Sequence, residues 1–449
     1  MYKPYQRPII NASPDVKVAQ PKVSGFAIFL MSLIAKPYMK MLFGSAKIVL
    51  HDKEILIDAF NRALSKKNRC IIAFRHPDGR EPQLLTWFFL FKLKPLALKQ
   101  KVQFACRPHA VFVYGYEVVR WGPPVVRIIF PKLGAIPIHH TKIDSKGMAK
   151  IYSTIIDGKY PLALAPEGQV SYSTDTVPRL EPGVVHIGFQ AASQLLDNNN
   201  NCQLEILPLS VHFRYNKRGI AAMEKLLSKI EKYCALESQN DILENRLQRC
   251  RNIILEINEK RYNLNTDTSL SFEERLKNVV NAALETAERM LGVKSEGDYF
   301  ARLYKVRHEC WDRIFLPGVD NFKNIPLAKR SVMDLKAGEA WHIARHQELA
   351  DFGWYFCKPV PAKEAALHEK VEYVQNLWDF ASRTMGAAIS ARINIAPSKV
   401  IIKAAEGINL SERLSLYKED KKGAILQAVS DLENAYIECI NKVNKEVPY

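Results

Sequence analysis

The sequence predicts an α/β domain, a mostly parallel sheet flanked by helices, followed by an all-helical C-terminal region. Between residues 47 and 213, apolar runs of strand length alternate with longer stretches of helical period. That is the pattern of strands joined by crossover helices. After residue 214 the strand signal fades, and apolar residues recur at helical spacing with charges between them. The chain has 449 residues, 47% hydrophobic and 25% charged, which makes it globular and long enough for two or three domains.

Residues 1–45 read as a tail and an apolar segment. The opening "MYKPYQRPIINASPDVKVAQPKVSG" is polar and proline-bearing, and no small-residue cleavage site follows a proper apolar region, so a signal peptide is not expected. Next comes "FAIFLMSLIAKPYMKMLFG", broken by Lys36, Pro37 and Lys40. Its uninterrupted apolar part is about half of what a spanning helix needs. It is expected to lie in a membrane interface or re-enter it, lysines toward lipid phosphates, with a buried N-terminal helix as the alternative.

Residues 46–215 form the expected α/β domain. "RCIIAF", "VQFAC", "GAIPI", "YPLALA" and "LEILPLSVHF" read as strands. "EPQLLTWFFLFKL", "KGMAKIYSTIIDG" and "EPGVVHIGFQAASQLL" read as the helices between them, and the Asp/Asn run at 197–201 as a solvated loop. Residues 216–449 read as helices, among them "NDILENRLQRCRNIILEINEKRY", "FEERLKNVVNAALETAERML", "YFARLYKVRHECWDRIF" and "GAILQAVSDLENAYIECINKVNKE". No fixed repeat is visible.

The formal net charge of +17 points to an anionic partner: nucleic acid, an acidic membrane surface or phosphate-bearing substrates. The eight cysteines form no CxxC pair, which argues against a zinc ribbon or disulfide framework and fits a reducing compartment.

Four short blocks carry the chemistry. "FRHPDGRE", residues 74–81, places a histidine, turn formers and a carboxylate between a strand and a helix. "KLGAIPIHH", residues 132–140, is a strand that starts at a glycine and ends in two histidines. "APEGQVS", residues 165–171, is a Pro-Glu-Gly turn at a strand end, the edge where open α/β sheets bind ligands. "ILPLS", residues 206–210, is a strand with a central proline. Each alone is common; their order and separations form the signal.

In that order the blocks resemble those of the glycerolipid acyltransferases, in particular the 1-acyl-glycerol-3-phosphate (lysophosphatidate) acyltransferases. The resemblance covers residues 48–213 and implies a glycerolipid acyltransferase-like fold there. It implies that His76 is a general base and Glu81 the acid that orients it. Five residues apart, the pair would point about 140° from each other on one helix, so the Asp78-Gly79 turn must fold the chain back. Asp78 competes for the same role. The second and third blocks imply acceptor contacts at Gly134, Ile138, His140, Pro166, Glu167, Gly168 and Ser171. Pro208 would shape the catalytic or acyl-donor side, or simply belong to a core strand. Block one has Glu81 where the family usually has Asp. Block two ends in His140 where the family has arginine, and block three reads Glu167-Gly168-Gln169-Val170-Ser171, without its arginine. Neither replacement offers a guanidinium's two-pronged grip on phosphate. Lys142, Arg127 or Arg179 could compensate, or the acceptor's head group differs from a bare phosphate.

The expected activity is transfer of a fatty acyl group from acyl-CoA or acyl carrier protein to a lysophospholipid hydroxyl, with 1-acyl-glycerol-3-phosphate as the expected acceptor. It would take place on the cytoplasmic face of an anionic membrane, with no cofactor and no metal. A different acceptor, or a non-catalytic membrane-bound interaction protein of the same fold, are the alternatives. His342 and His346 stand one helical turn apart in "WHIARHQE", but Ile343 occupies the place of the glutamate that a metalloprotease helix needs. The basic stretch "RLQRCRNIILEINEKR" reads as a solvated face. No Walker loop, dinucleotide fingerprint or RNA-binding signature occurs, and nucleic acid is not an expected partner.

Overall fold

A computed structural model describes residues 10–139, 144–198, 202–237 and 241–446. The first helix, α1 (Gly25–Phe43), starts at Ser24, whose hydroxyl accepts the Ala27 N–H at 3.3 Å. The helix continues through Lys36, Pro37 and Lys40, which interrupt its apolar surface but not its backbone. By length and composition alone it suffices to cross a bilayer. One face is anchored: Ile28 packs with Leu90 and Leu133, and Met39 and Phe43 are buried. The other carries Phe26, Phe29, Leu33, Ile34 and Met41, all more than half exposed.

The main sheet contains β1 (Lys47–His51), β2 (Asn68–Phe74), β3 (Val111–Gly115), β4 (Ile136–Ile138), β5 (Leu162–Leu164), β6 (Gln203–Arg214), β7 (Lys399–Ala404) and β8 (Ile408–Asn409). Its order is β1-β7-β6-β2-β5-β3-β4, with β8 also beside β6. Every pairing is parallel except those of β6 with β7 and β8. Helices α2 (Lys53–Leu64), α3 (Glu81–Phe88), α4 (Ser145–Ile156) and α5 (Gly183–Asp197) belong to the N-terminal half. The second half supplies α6 (Lys217–Tyr233), α7 (Leu243–Arg261), α8 (Phe272–Leu291), α9 (Tyr299–Ile314), α10 (Leu327–Tyr355), α11 (Leu367–Thr384) and α12 (Lys421–Glu446).

Alternate residues of β6 feed two cores, as strand geometry requires. Leu207 and Leu209 join Phe60, Leu84 and Phe89 on one face. Leu204 and Ile206 join Val185, Phe189 and Tyr436 on the other. The structure is thus α/β with a mostly parallel sheet flanked by helices, and its C-terminal region is helical for most of its length.

Two expectations change. "VQFAC" is not a strand: within it only Phe104 is buried, whereas Val111 and Phe112 of β3 are both buried. A central parallel strand must be covered on both faces, and "VFVYG" meets that condition. The C-terminal region is not all-helical either. Val400, Ile401 and Ile402 of β7 are completely buried between β1 and β6, so the sheet draws on both sides of the boundary expected near residue 215.

Pro208 sits mid-strand, paired with Ala73. The Leu209 carbonyl accepts the Arg75 N–H, while the Pro208 carbonyl faces the other way and accepts the Ala405 N–H. The donor that proline lacks would therefore point between β7 and β8, where the neighbouring chain leaves the ladder. A proline is tolerated at such a gap.

Candidate active site

At the carboxyl end of β2 the chain turns and enters α3 at Glu81. Gly79 has φ +102°, a conformation that side chains disfavour. The turn brings Glu81, completely buried, back onto His76: His76 Nδ1 and Glu81 Oε2 lie 2.7 Å apart. The same carboxylate accepts the Asp78 N–H at 2.8 Å and the Gly79 N–H at 2.9 Å. Glu81 therefore shapes the turn and orients the imidazole together. With Nδ1 donating to a carboxylate, Nε2 is left as the basic nitrogen of the neutral ring. The His76 side chain is 18% exposed. Burial alone would lower its pKa, but the hydrogen bond and charge of Glu81, with those of Glu167 and Asp78, raise it above the ordinary 6.5.

Asp78 is committed elsewhere. Its carboxylate takes both Nε and Nη2 of Arg80, the latter at 2.9 Å. The Arg80 guanidinium lies 4.9 Å over the Phe43 ring and also bonds the Leu42 carbonyl, tying the turn to the end of α1. Glu81, not Asp78, is the partner of His76.

The turn after β5 lies next to it. Glu167 accepts Arg75 Nε at 3.0 Å on one oxygen and the His76 N–H at 3.0 Å on the other. Ser171 N–H donates to the His76 carbonyl at 3.0 Å. Arg75, completely buried, also donates to the carbonyls of Ser173, Thr174 and Thr176. Glu167, expected to touch the acceptor, is thus occupied in fixing the backbone of His76. Pro166 and Gly168 form the bend, Gly168 at φ +71°. The hydroxyl of Ser171 is buried without a partner among the described residues.

The helical half holds this loop in place. Glu372 of α11 accepts the Thr174 N–H at 3.0 Å, and Asn376 donates to the Tyr172 carbonyl at 2.9 Å. Asp175 pairs with His368 Nε2 at 2.6 Å and with Asn444 of α12 at 2.8 Å. Burial would raise the Asp175 pKa, but these bonds and the charge of His368 hold it far below the usual carboxylate range. None of these groups was foreseen from the sequence. An arginine directly before the histidine, at the end of an apolar strand, was the only available hint.

Other expected positions scatter. Gly134 lies at the opposite end of β4, packed on Val23, and is not beside His76. Ile138 ends β4 level with Gly115, and His139 stacks on Tyr116 with ring centroids 4.2 Å apart. His140 and Lys142 lie outside the described residues. Pro208 is inside the sheet. Arg127 donates to the Val119 carbonyl, and Arg179 lies over the Phe300 ring. His346 is bonded to the Tyr262 hydroxyl at 2.8 Å. Ligand atoms of Asp175, His368 and Glu369 lie within 4.8 Å of one another, but the Asp175–His368 bond already occupies the first two. A cleft of about 540 Å³ bordered by Asp52, Lys403 and Glu438 does not include His76 or the block residues.

No protein-family model matches the chain, and no curated protein matches it significantly.

Proposed function

We propose that this protein is a membrane-associated O-acyltransferase of the glycerolipid acyltransferase type. It moves a fatty acyl group from acyl-CoA or acyl carrier protein to the free hydroxyl of a lysophospholipid, on the pattern of 1-acyl-glycerol-3-phosphate acylation. The observation that carries this reading is the buried Glu81 carboxylate at 2.7 Å from His76 Nδ1, at the carboxyl edge of the sheet. That edge is where ligands of open α/β sheets bind.

In this mechanism His76 Nε2 takes the acceptor's proton as its oxygen attacks the thioester carbonyl. The C–O bond forms, the C–S bond breaks, and the proton passes to the departing thiolate. Glu81 stabilises the imidazolium in between, and the Glu167–Arg75 pair keeps the histidine backbone in position. No covalent enzyme intermediate is required. The exposed apolar face of α1, with Lys36 and Lys40 exposed on the same helix, supports docking at an anionic bilayer, as does the net charge of +17.

The test is thiol release from long-chain acyl-CoA, and then from acyl carrier protein, in mixed micelles with a panel of lysophospholipids. Acceptor-dependent release by the wild type, lost in His76→Ala, is the expected result. Release that is absent with both donors, or unchanged in His76→Ala, would overturn the reading.

A further inference from the structure

We infer that the protein sits in one leaflet of an anionic membrane without crossing it: α1 lies in the membrane plane, and helix Pro124–Lys132 with Trp121 enters the same leaflet beside it. This rests on the docking part of the reading above and adds a second membrane element and an orientation. The attachments of α1 decide the orientation. Before its first turn, the N–H groups of Lys22 and Ser24 donate to the Pro131 and Lys132 carbonyls, each at 2.8 Å. Ile28 then packs on Leu90 and Leu133. At the far end Met39 and Phe43 are buried, and the Leu42 carbonyl accepts Arg80 of the His76 turn. Nineteen helical residues cover about 28 Å, close to the thickness of a bilayer's hydrocarbon core. A spanning α1 would need its ends on opposite sides of that core. Both ends are fastened to one folded body, with buried residues at each, so the body would have to enter the hydrocarbon with the helix. The loops of that body carry backbone groups that lipid cannot satisfy. Lying flat, α1 keeps its anchored stripe on protein and turns Phe26, Phe29, Leu33, Ile34 and Met41 toward the acyl chains.

Helix Pro124–Lys132 extends this face. It flanks the start of α1 through the two backbone bonds above, and its Ile129 packs against the Ile28 cluster. Val125 and Ile128 remain outside, 51% and 59% exposed, as does Trp121 just before the helix, 48% exposed. A tryptophan with an apolar body and a polar N–H suits the boundary between lipid and water. Charge selects the occupant. Residues 16–51, 82–116 and 118–139 contain no aspartate or glutamate, and Glu117 is the one acid between the last two stretches. Lys22, Lys36, Lys40, Lys92, Lys94 and Lys132, all in these stretches, are exposed. Arg120 turns inward to Asp312 at 3.1 Å and is not part of the face. Apolar residues set among lysines without acids match lipid tails below anionic phosphates. A second copy of the chain would instead bring like charges together.

The experiment measures sedimentation of the full-length protein with vesicles of phosphatidylcholine and phosphatidylglycerol. Trp121→Glu with Ile128→Glu should weaken binding by roughly tenfold or more, with circular dichroism unchanged. Leu426→Glu with Ile437→Glu, exposed on α12, adds the same charge elsewhere and should bind like the wild type. Sealed membrane vesicles from cells expressing the protein with an epitope tag at each end are then treated with external protease. Both tags should share one fate in every preparation. Opposite fates of the tags would show that α1 crosses, and equal effects of the two double variants would remove helix Pro124–Lys132 from the face; either overturns the inference while leaving docking intact. Wild-type protein that ignores the vesicles would overturn this inference and the docking reading together. So would a doubled mass in solution that Trp121→Glu with Ile128→Glu abolishes, because a second copy would then cover the face. None of these readouts uses acyl transfer, so a failure of that chemistry is scored separately.

Discussion

Glu81 accepts three hydrogen bonds, from the His76 ring and from two N–H groups of the turn, so its charge and its shape act on different properties. Glu81→Gln keeps the size and removes the charge. The carboxylate raises the His76 pKa, so its loss lets the ring stay neutral at lower pH. The acid limb of the pH–rate profile should therefore move to lower pH while kcat falls roughly 10²–10⁴-fold, the usual worth of general acid–base catalysis. Asp78→Asn should behave differently: it breaks a buried pair with Arg80 and should cost about 3 kcal/mol of stability, read as a lower melting temperature. Its acid limb should shift much less than that of Glu81→Gln, because Asp78 makes no hydrogen bond to the ring. The histidine and its acid were legible because a turn dipeptide separated them at short range. The Arg75–Glu167 pair was not, because 92 residues separate its members and only the folded sheet brings β2 and β5 together.

Among the elements, α8 was read with its true ends because both signals are local. Ser271 and Glu274 form a reciprocal cap, and apolar residues repeat along the helix. Strand β7 went unread: six residues among helices carry no local mark of a partner strand in the first half of the chain. The sequence marks α1 as apolar with breaks at Lys36, Pro37 and Lys40; the helical backbone runs through all three, because a proline and two lysines interrupt the apolar surface without ending the helix. Its exposed face makes a separable prediction. Phe29→Glu with Leu33→Glu should reduce sedimentation with anionic vesicles by tenfold or more, with circular dichroism unchanged. Equal vesicle binding by this variant would remove α1 from the docking surface.

For the molecule as a whole, the sheet and the His76 loop both depend on the second half. β7 fills the space between β1 and β6, and Glu372, His368, Asn376 and Asn444 fasten residues 172–175. A chain ending at residue 215 would expose Val211 and Phe213 and an unpaired edge of β6. It should show no cooperative thermal transition and should bind hydrophobic dyes. A cooperative, soluble fragment would contradict the interlocked architecture. Composition and period were enough to recognise an α/β protein with a helical second half. They gave no sign that the second half reaches into the sheet, because that depends on pairing across the whole chain.

The most direct test of the central claim is the pH dependence of acceptor-dependent thiol release in wild type, His76→Ala and Glu81→Gln. The account predicts a wild-type acid limb with its midpoint above 6.5, a lower midpoint in Glu81→Gln, and no acceptor-dependent rate in His76→Ala. A His76→Ala rate equal to that of the wild type, or the same midpoint with and without the Glu81 charge, would contradict it.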